Sequence, residues 1–151
     1  MVDIVPFDSR HAEGFAALVV DTLREFGFEP DPVLDDDLRD PVATYAALWV
    51  AIDEDAVVGS VALRELGGHA YELKRMYLRS SHRNRGVGKR LLATALDWAR
   101  SNRTQVVRLD TAESMVAARH LYEAAGFAHV PGEAPRQSQR RLLYELRFPA
   151  M

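Results

Sequence analysis

Arg83-Asn84-Arg85-Gly86-Val87-Gly88, followed by Lys89-Arg90-Leu91-Leu92, sets two glycines among four cations where a strand-like run gives way to an amphipathic helix. The first backbone N–H groups of a helix lack intrahelical partners and carry a partial positive charge, so they attract anions. Glycine lets an anion approach that backbone closely, and Arg83, Arg85 and Lys89 can add charge-assisted bonds. Phosphate binding is therefore the chemistry expected at this turn. Neither a Walker loop nor the third glycine of a dinucleotide fingerprint accompanies it, since Leu91 stands where that glycine would be.

Other reactive types are sparse. Cysteine is absent, which excludes disulfides, thiolate metal sites and a cysteine nucleophile. The histidines His11, His69, His82, His120 and His129 do not pair at metal-ligand spacing, so no metal is expected. No G-x-S-x-G elbow points to a covalent acyl-enzyme.

The elements that must position the turn are legible from periodicity. Residues 71–78 read as a strand bounded by Gly67-Gly68 and Ser80-Ser81, and Leu91, Leu92, Ala95, Leu96 and Ala99 recur at helical spacing from Gly88 to near Asn102. Upstream, Asp3-Ile4-Val5-Pro6 reads as a strand. Phe15, Leu18, Val19, Thr22, Leu23 and Phe26 form a helix face running to Gly27, and a short second helix is expected within residues 33–47. Residues 48–53 and 57–66 read as strands joined through Glu54-Asp55. Downstream come a strand at 106–110, a helix carrying Met115, Ala118, Leu121, Tyr122 and Ala125 and stopped by Gly126, and a strand at 127–130. A polar loop at 131–139 and a closing strand with Leu142, Tyr144, Leu146 and Phe148 on one face complete the chain. The order β-α-α-β-β-β-α-β-α-β-β predicts an α+β fold with a mixed, mostly antiparallel sheet flanked by helices, as a single domain over residues 1–151.

Length and charge narrow the class. A chain of 151 residues, 48% hydrophobic, can bury one sizeable core. No leader-like or membrane-length apolar run is present, so a cytoplasmic protein without a membrane partner is expected. The net charge of −3 hides an asymmetry. Residues 21–40 are rich in acid, whereas Lys74, Arg75, Arg79, Arg83, Arg85, Lys89 and Arg90 lie in a stretch without any. One segment suits a cation and the other an anion. The Asp35-Asp36-Asp37 run lacks the glycine and glutamate of a calcium loop and is expected at a helix N-terminus or on the surface. The acidic balance, and the lack of aromatics interleaved in the basic stretch, argue against nucleic acid.

Taken together, these motifs resemble the GNAT superfamily of acyl-CoA-dependent N-acetyltransferases. The glycine turn matches its [QR]-x-x-G-x-[GA] pyrophosphate loop, and Glu72-Leu73-Lys74-Arg75-Met76-Tyr77-Leu78 resembles the strand before it. Leu109-Asp110-Thr111 and Leu121-Tyr122-Glu123-Ala124-Ala125-Gly126-Phe127 resemble its second half. Many members carry Asn six residues before the Leu of the L-Y-x-x-x-G-F motif, where this chain has Met115. That exchange removes a side-chain contact to the pantetheine arm but leaves the backbone anchors.

The resemblance implies acetyl-CoA as co-substrate. Backbone groups of Met76, Tyr77 and Leu78 would pair with the pantetheine arm, Arg83, Asn84, Arg85, Gly86, Val87, Gly88 and Lys89 would hold the pyrophosphate, and Met115 would lie beside them. It implies transfer to a primary amine of a small molecule, amino acid or peptide by direct attack in a ternary complex. Tyr122 would be the general acid and Glu72 the candidate base, with Asp110 or an ordered water as alternatives. A backbone N–H of the Met76 strand would polarise the thioester oxygen. The acidic segment falls where such proteins build the acceptor wall, which favours a cationic acceptor. A non-catalytic acyl-CoA sensor is the alternative, and a monomer or a homodimer built on the last strand is expected.

Overall fold

In the computed structural model, which describes residues 1–133 and 140–149, the strands form one seven-stranded sheet in the order β1-β2-β3-β4-β5-β7-β6. Its elements are β1 (Asp3–Pro6), α1 (Ala12–Glu25), a 3-10 turn (Asp36–Arg39), α2 (Pro41–Thr44), β2 (Ala47–Asp53), β3 (Ala56–Gly67) and β4 (Ala70–Leu78). They continue with α3 (Val87–Ser101), β5 (Val106–Ala112), α4 (Val116–Ala124), β6 (Ala128–Glu133) and β7 (Arg141–Arg147). The expected order is observed. The strand after Gly126 runs on through Pro131 to Glu133, so the first three residues of the expected polar loop are sheet; residues 134–139 lie outside the described residues. β7 is paired on both edges, by β5 and β6, so it has no free edge to offer a second copy.

The strands alternate their side chains between two cores. On β3, Val61 and Leu63 face Leu91, Leu92, Ala95, Leu96 and Ala99 of α3, whereas Ala62 faces Phe15, Leu18, Val19 and Leu23 of α1. Each valine, leucine and phenylalanine among them contributes roughly 1.5–3 kcal/mol on burial. Gly59 lets β3 approach both β4 and α3, since a Cβ there would stand 3.0 Å from Leu78 and Leu91 and 3.1 Å from the Tyr77 carbonyl.

All adjacent strands pair antiparallel except β4 and β5, which are parallel and pair only from Ala70 to Glu72 against Val106 to Arg108. Beyond Glu72 the two strands part. β4 stays paired to β3 through Leu78, and β5 stays paired to β7 through Ala112. This splay leaves the β5-facing edge of β4's second half without a neighbouring strand.

Candidate active site

The splay opens into a cleft of about 460 Å³ lined by Met76, Tyr77 and Leu78 on one side and by residues 114–118 and Leu121 on the other. Arg83, Asn84, Gly86, Gly88 and Lys89 close one end, and Thr22, Glu25 and Phe26 of the α1 terminus complete it. Most of the residues expected at the cofactor are thus brought together. Arg85 and Val87 are outside the lining, and Val87 is buried at the first position of α3. Met115 reaches the cleft, and its sulfur accepts a bond from the Thr111 hydroxyl at 3.7 Å.

The glycine turn has the geometry of an anion cradle. Asn84 and Gly86 adopt φ of 63° and 79°, and Gly86 caps α3 from the left-handed region. The first bond of α3 runs from Arg90 N–H to Gly86 C=O at 3.1 Å, and no backbone N–H from residues 84–89 donates to another described residue. Successive unpaired N–H groups at a helix start form the concavity that suits a pyrophosphate.

Arg83 lines the cleft and is also engaged within the chain. Its guanidinium donates to the Leu78 carbonyl at 3.0 Å and to both Glu25 oxygens, and lies 5.6 Å from the centre of the Phe26 ring. It pins the turn to β4 and α1. His82 adds a second anchor, with Nε2 2.7 Å from the Asp53 carboxylate.

A smaller cavity of about 60 Å³ adjoins the cleft and shares Met76, Tyr77 and Met115 with it. Lys74, Arg75, Asp110, Thr111, Tyr122 and Arg141 also line it. Tyr122 is 5% exposed, and its hydroxyl bonds to no other described residue yet is not sealed from the cavity. Burial, reinforced by nearby Tyr77, pushes that hydroxyl above its ordinary value, so it keeps its proton at neutral pH. Asp110 accepts from Arg141 Nε at 2.8 Å.

Glu72 is not brought to this place. It sits where β4 and β5 are still paired, outside both linings, and accepts two bonds from Arg64 at 3.0 and 2.6 Å. The sequence put it on the right strand but could not show where the splay begins.

β4 bulges opposite Val61, so that two residues, Arg75 and Met76, stand against one, and Arg75 has φ of 52°. The Ser60 hydroxyl donates to the Arg75 carbonyl at 2.6 Å and fixes the bulge. The Arg75 side chain turns into a buried cluster. It bonds Asp37 through Nε at 2.9 Å and Nη2 at 2.7 Å, and Asp35 through Nη2 at 2.8 Å, while the Tyr45 hydroxyl donates to Asp37. Burial alone would raise the Asp37 carboxyl, but the Arg75 guanidinium holds it below the usual carboxylate range.

These contacts correct the reading of the two charged segments. Asp21 pairs with Arg79, Glu25 with Arg83, and Asp35 and Asp37 with Arg75. The acidic segment is largely turned onto the chain's own arginines, and Asp35 and Asp37 are core residues, not surface charge. Its expected role as the wall for a cationic acceptor loses its basis. Among the described residues no group of three or more His, Asp or Glu could hold a metal, and no helix is long and apolar enough to cross a membrane.

A splayed parallel pair of strands, an anion cradle opening α3 and a buried tyrosine beside the gap together form one candidate site. The sequence model of the Acetyltransferase (GNAT) family matches residues 14–127, and the chain belongs to that family. It is 35% identical over 112 residues to an N-acetylaspartate synthetase of Xenopus tropicalis, covering 68% of this chain and 41% of that protein. It is 30% identical over 122 residues to an uncharacterized N-acetyltransferase of Schizosaccharomyces pombe, covering 76% and 75%. An acetyltransferase of the GNAT family from Staphylococcus aureus Mu50 superposes with a TM-score of 0.87 over 97% of this chain and 99% of that one, at 21% identity, which shows the shared fold. The chain spans under half the length of the Xenopus relative.

Proposed function

We propose that the protein transfers an acetyl group from acetyl-CoA to a primary amine of a small molecule, amino acid or peptide, by direct attack in a ternary complex. The observation that carries this reading is the row of unpaired N–H groups at residues 84–89, lying in one cleft with the free edge of β4 and leading to Tyr122. Bound acetyl-CoA supplies an activated thioester. The cradle holds its pyrophosphate, and the edge of β4 at Met76 and Leu78 offers backbone groups to the pantetheine amides as an added strand would. A β4 N–H at the bulge polarises the thioester oxygen, and the fixed bulge aims it in advance. Tyr122 holds the proton that the departing sulfur needs.

The amine must lose a proton to attack. Glu72 lies apart and is held by Arg64, so that proton passes to water in the small cavity or to Asp110, which lines it. The relatives named N-acetylaspartate synthetase support including amino acids among the acceptors. Thiol release from acetyl-CoA across a panel of amines tests the activity, with acetyl-CoA affinity measured by calorimetry alongside. We expect binding and acceptor-dependent release; failure to bind acetyl-CoA overturns the reading.

A further inference from the structure

The acceptor end of the cleft presents its charges unevenly. Lys74, Arg75 and Arg141 line the small cavity, and Asp110 is the one carboxylate that does so among the described residues. The carboxylates that balance Arg75 stand behind it, Asp35 3% and Asp37 5% exposed, and neither belongs to the lining. Asp110 is taken up by Arg141, which bonds its carboxylate at 2.8 Å and its carbonyl at 3.1 Å. Lys74 differs from all of these. It is half-buried and makes no hydrogen bond or ion pair to another described residue.

The strand explains where its ammonium points. Leu73 and Met76 belong to the core beneath α3, and Tyr77 packs on the core beneath α1. Lys74 follows Leu73 by one residue and precedes the bulge, so it projects to the α1 side, the side of Arg75 and Tyr77. A cation there, one strand position from the bulge and facing a cavity beside Tyr122, meets whatever carries the amine. A half-buried ammonium with no direct hydrogen bond or ion pair to another described residue, attracted only at longer range to Asp37, gains from a ligand carboxylate.

We propose that the acceptor bears a carboxylate and that Lys74 pairs with it, making Lys74 the residue that selects carboxylate-bearing amines such as amino acids over amines without a carboxylate. This rests on the acetyltransferase reading above. The test compares aspartate, glutamate and alanine with their amides and with amines lacking the carboxylate, using the wild type, Lys74→Met and Lys74→Glu.

The wild type is expected to favour the carboxylate-bearing members. Lys74→Met should raise their KM roughly 10- to 100-fold while leaving the KM for acetyl-CoA in place. Lys74→Glu should shift preference toward amines carrying a second cation. The proposal is overturned if amides and amines serve as well as acids, if Lys74→Met leaves the acceptor KM unchanged, or if acetyl-CoA binds yet no carboxylate-bearing amine is acetylated. Loss of acetyl-CoA binding by the wild type would instead overturn the acetyltransferase reading itself.

Discussion

Tyr122 combines two properties that rarely coexist in a core aromatic: it packs against Phe127 at a ring separation of 5.8 Å, and it keeps a hydroxyl facing a polar cavity. A residue needed only for packing would lose little as phenylalanine. We therefore expect Tyr122→Phe to lower kcat by roughly 100-fold or more while acetyl-CoA affinity stays within a few fold, read by steady-state kinetics and calorimetry. An unchanged kcat would make Tyr122 structural only. Because burial holds its proton above the ordinary tyrosine range, no loss of activity below about pH 10 should trace to Tyr122 ionisation. The L-Y-x-x-x-G-F pattern singled it out through the resemblance, and the structure places its ring on the small cavity. Glu72 was not legible in the same way. Strand alternation assigns a side, but the point at which β4 leaves β5 depends on pairing between residues far apart in the chain.

α3 shows how an element turns sequence into function through its end. Its periodicity and the preceding glycines were readable because both are local. A Cβ on Gly86 would meet nothing within 4 Å, so Gly86→Ala should cost only the left-handed backbone, about 1–2 kcal/mol in chemical denaturation. Gly86→Glu should in addition place a carboxylate at the cradle and abolish acetyl-CoA binding by calorimetry; retained affinity would remove the turn from the site. β4 teaches the opposite lesson. Its bulge is fixed by a bond between residues 15 positions apart and its arginine cluster joins residues 38 and 40 apart, which neither composition nor spacing announces. Asp37→Asn should cost about 3–5 kcal/mol, because it leaves Arg75 buried with one full carboxylate fewer. The folded Asp37 carboxyl titrates below its unfolded value, so its contribution is present above about pH 4 and is lost as pH falls below that. The Asn variant should therefore show a flatter acid limb in urea midpoints between about pH 5 and 3.

Across the whole molecule, the candidate site is where two halves of one sheet part. α1, packed on β3 and β4, binds the turn through Asp21 to Arg79 and Glu25 to Arg83, which holds the cradle against the helix without closing the cleft. The far half of the sheet, β5 with β7 and β6, meets β4 only from Ala70 to Glu72. A ligand that pairs with the open edge of β4, fills the cradle and packs against residues 114–118 and Leu121 on the far wall would bridge both halves and oppose their separation. Mass action sets the size of the effect. At a concentration 100 times its dissociation constant, a ligand that binds only the folded state adds about 2.7 kcal/mol. For a chain of this length that corresponds to a rise in Tm of roughly 5–11 °C. We expect acetyl-CoA and CoA both to raise Tm by amounts in this range, because the cradle and the strand edge bind parts common to the two. Adenosine alone should do little. Hydrogen exchange should slow at residues 76–78 and 84–89 together, since one ligand occupies both. Gly86→Glu should abolish the thermal shift while Tyr122→Phe retains it. Protection confined to the cradle, with the β4 edge still exchanging freely, would mean that the pantetheine arm does not add to the sheet.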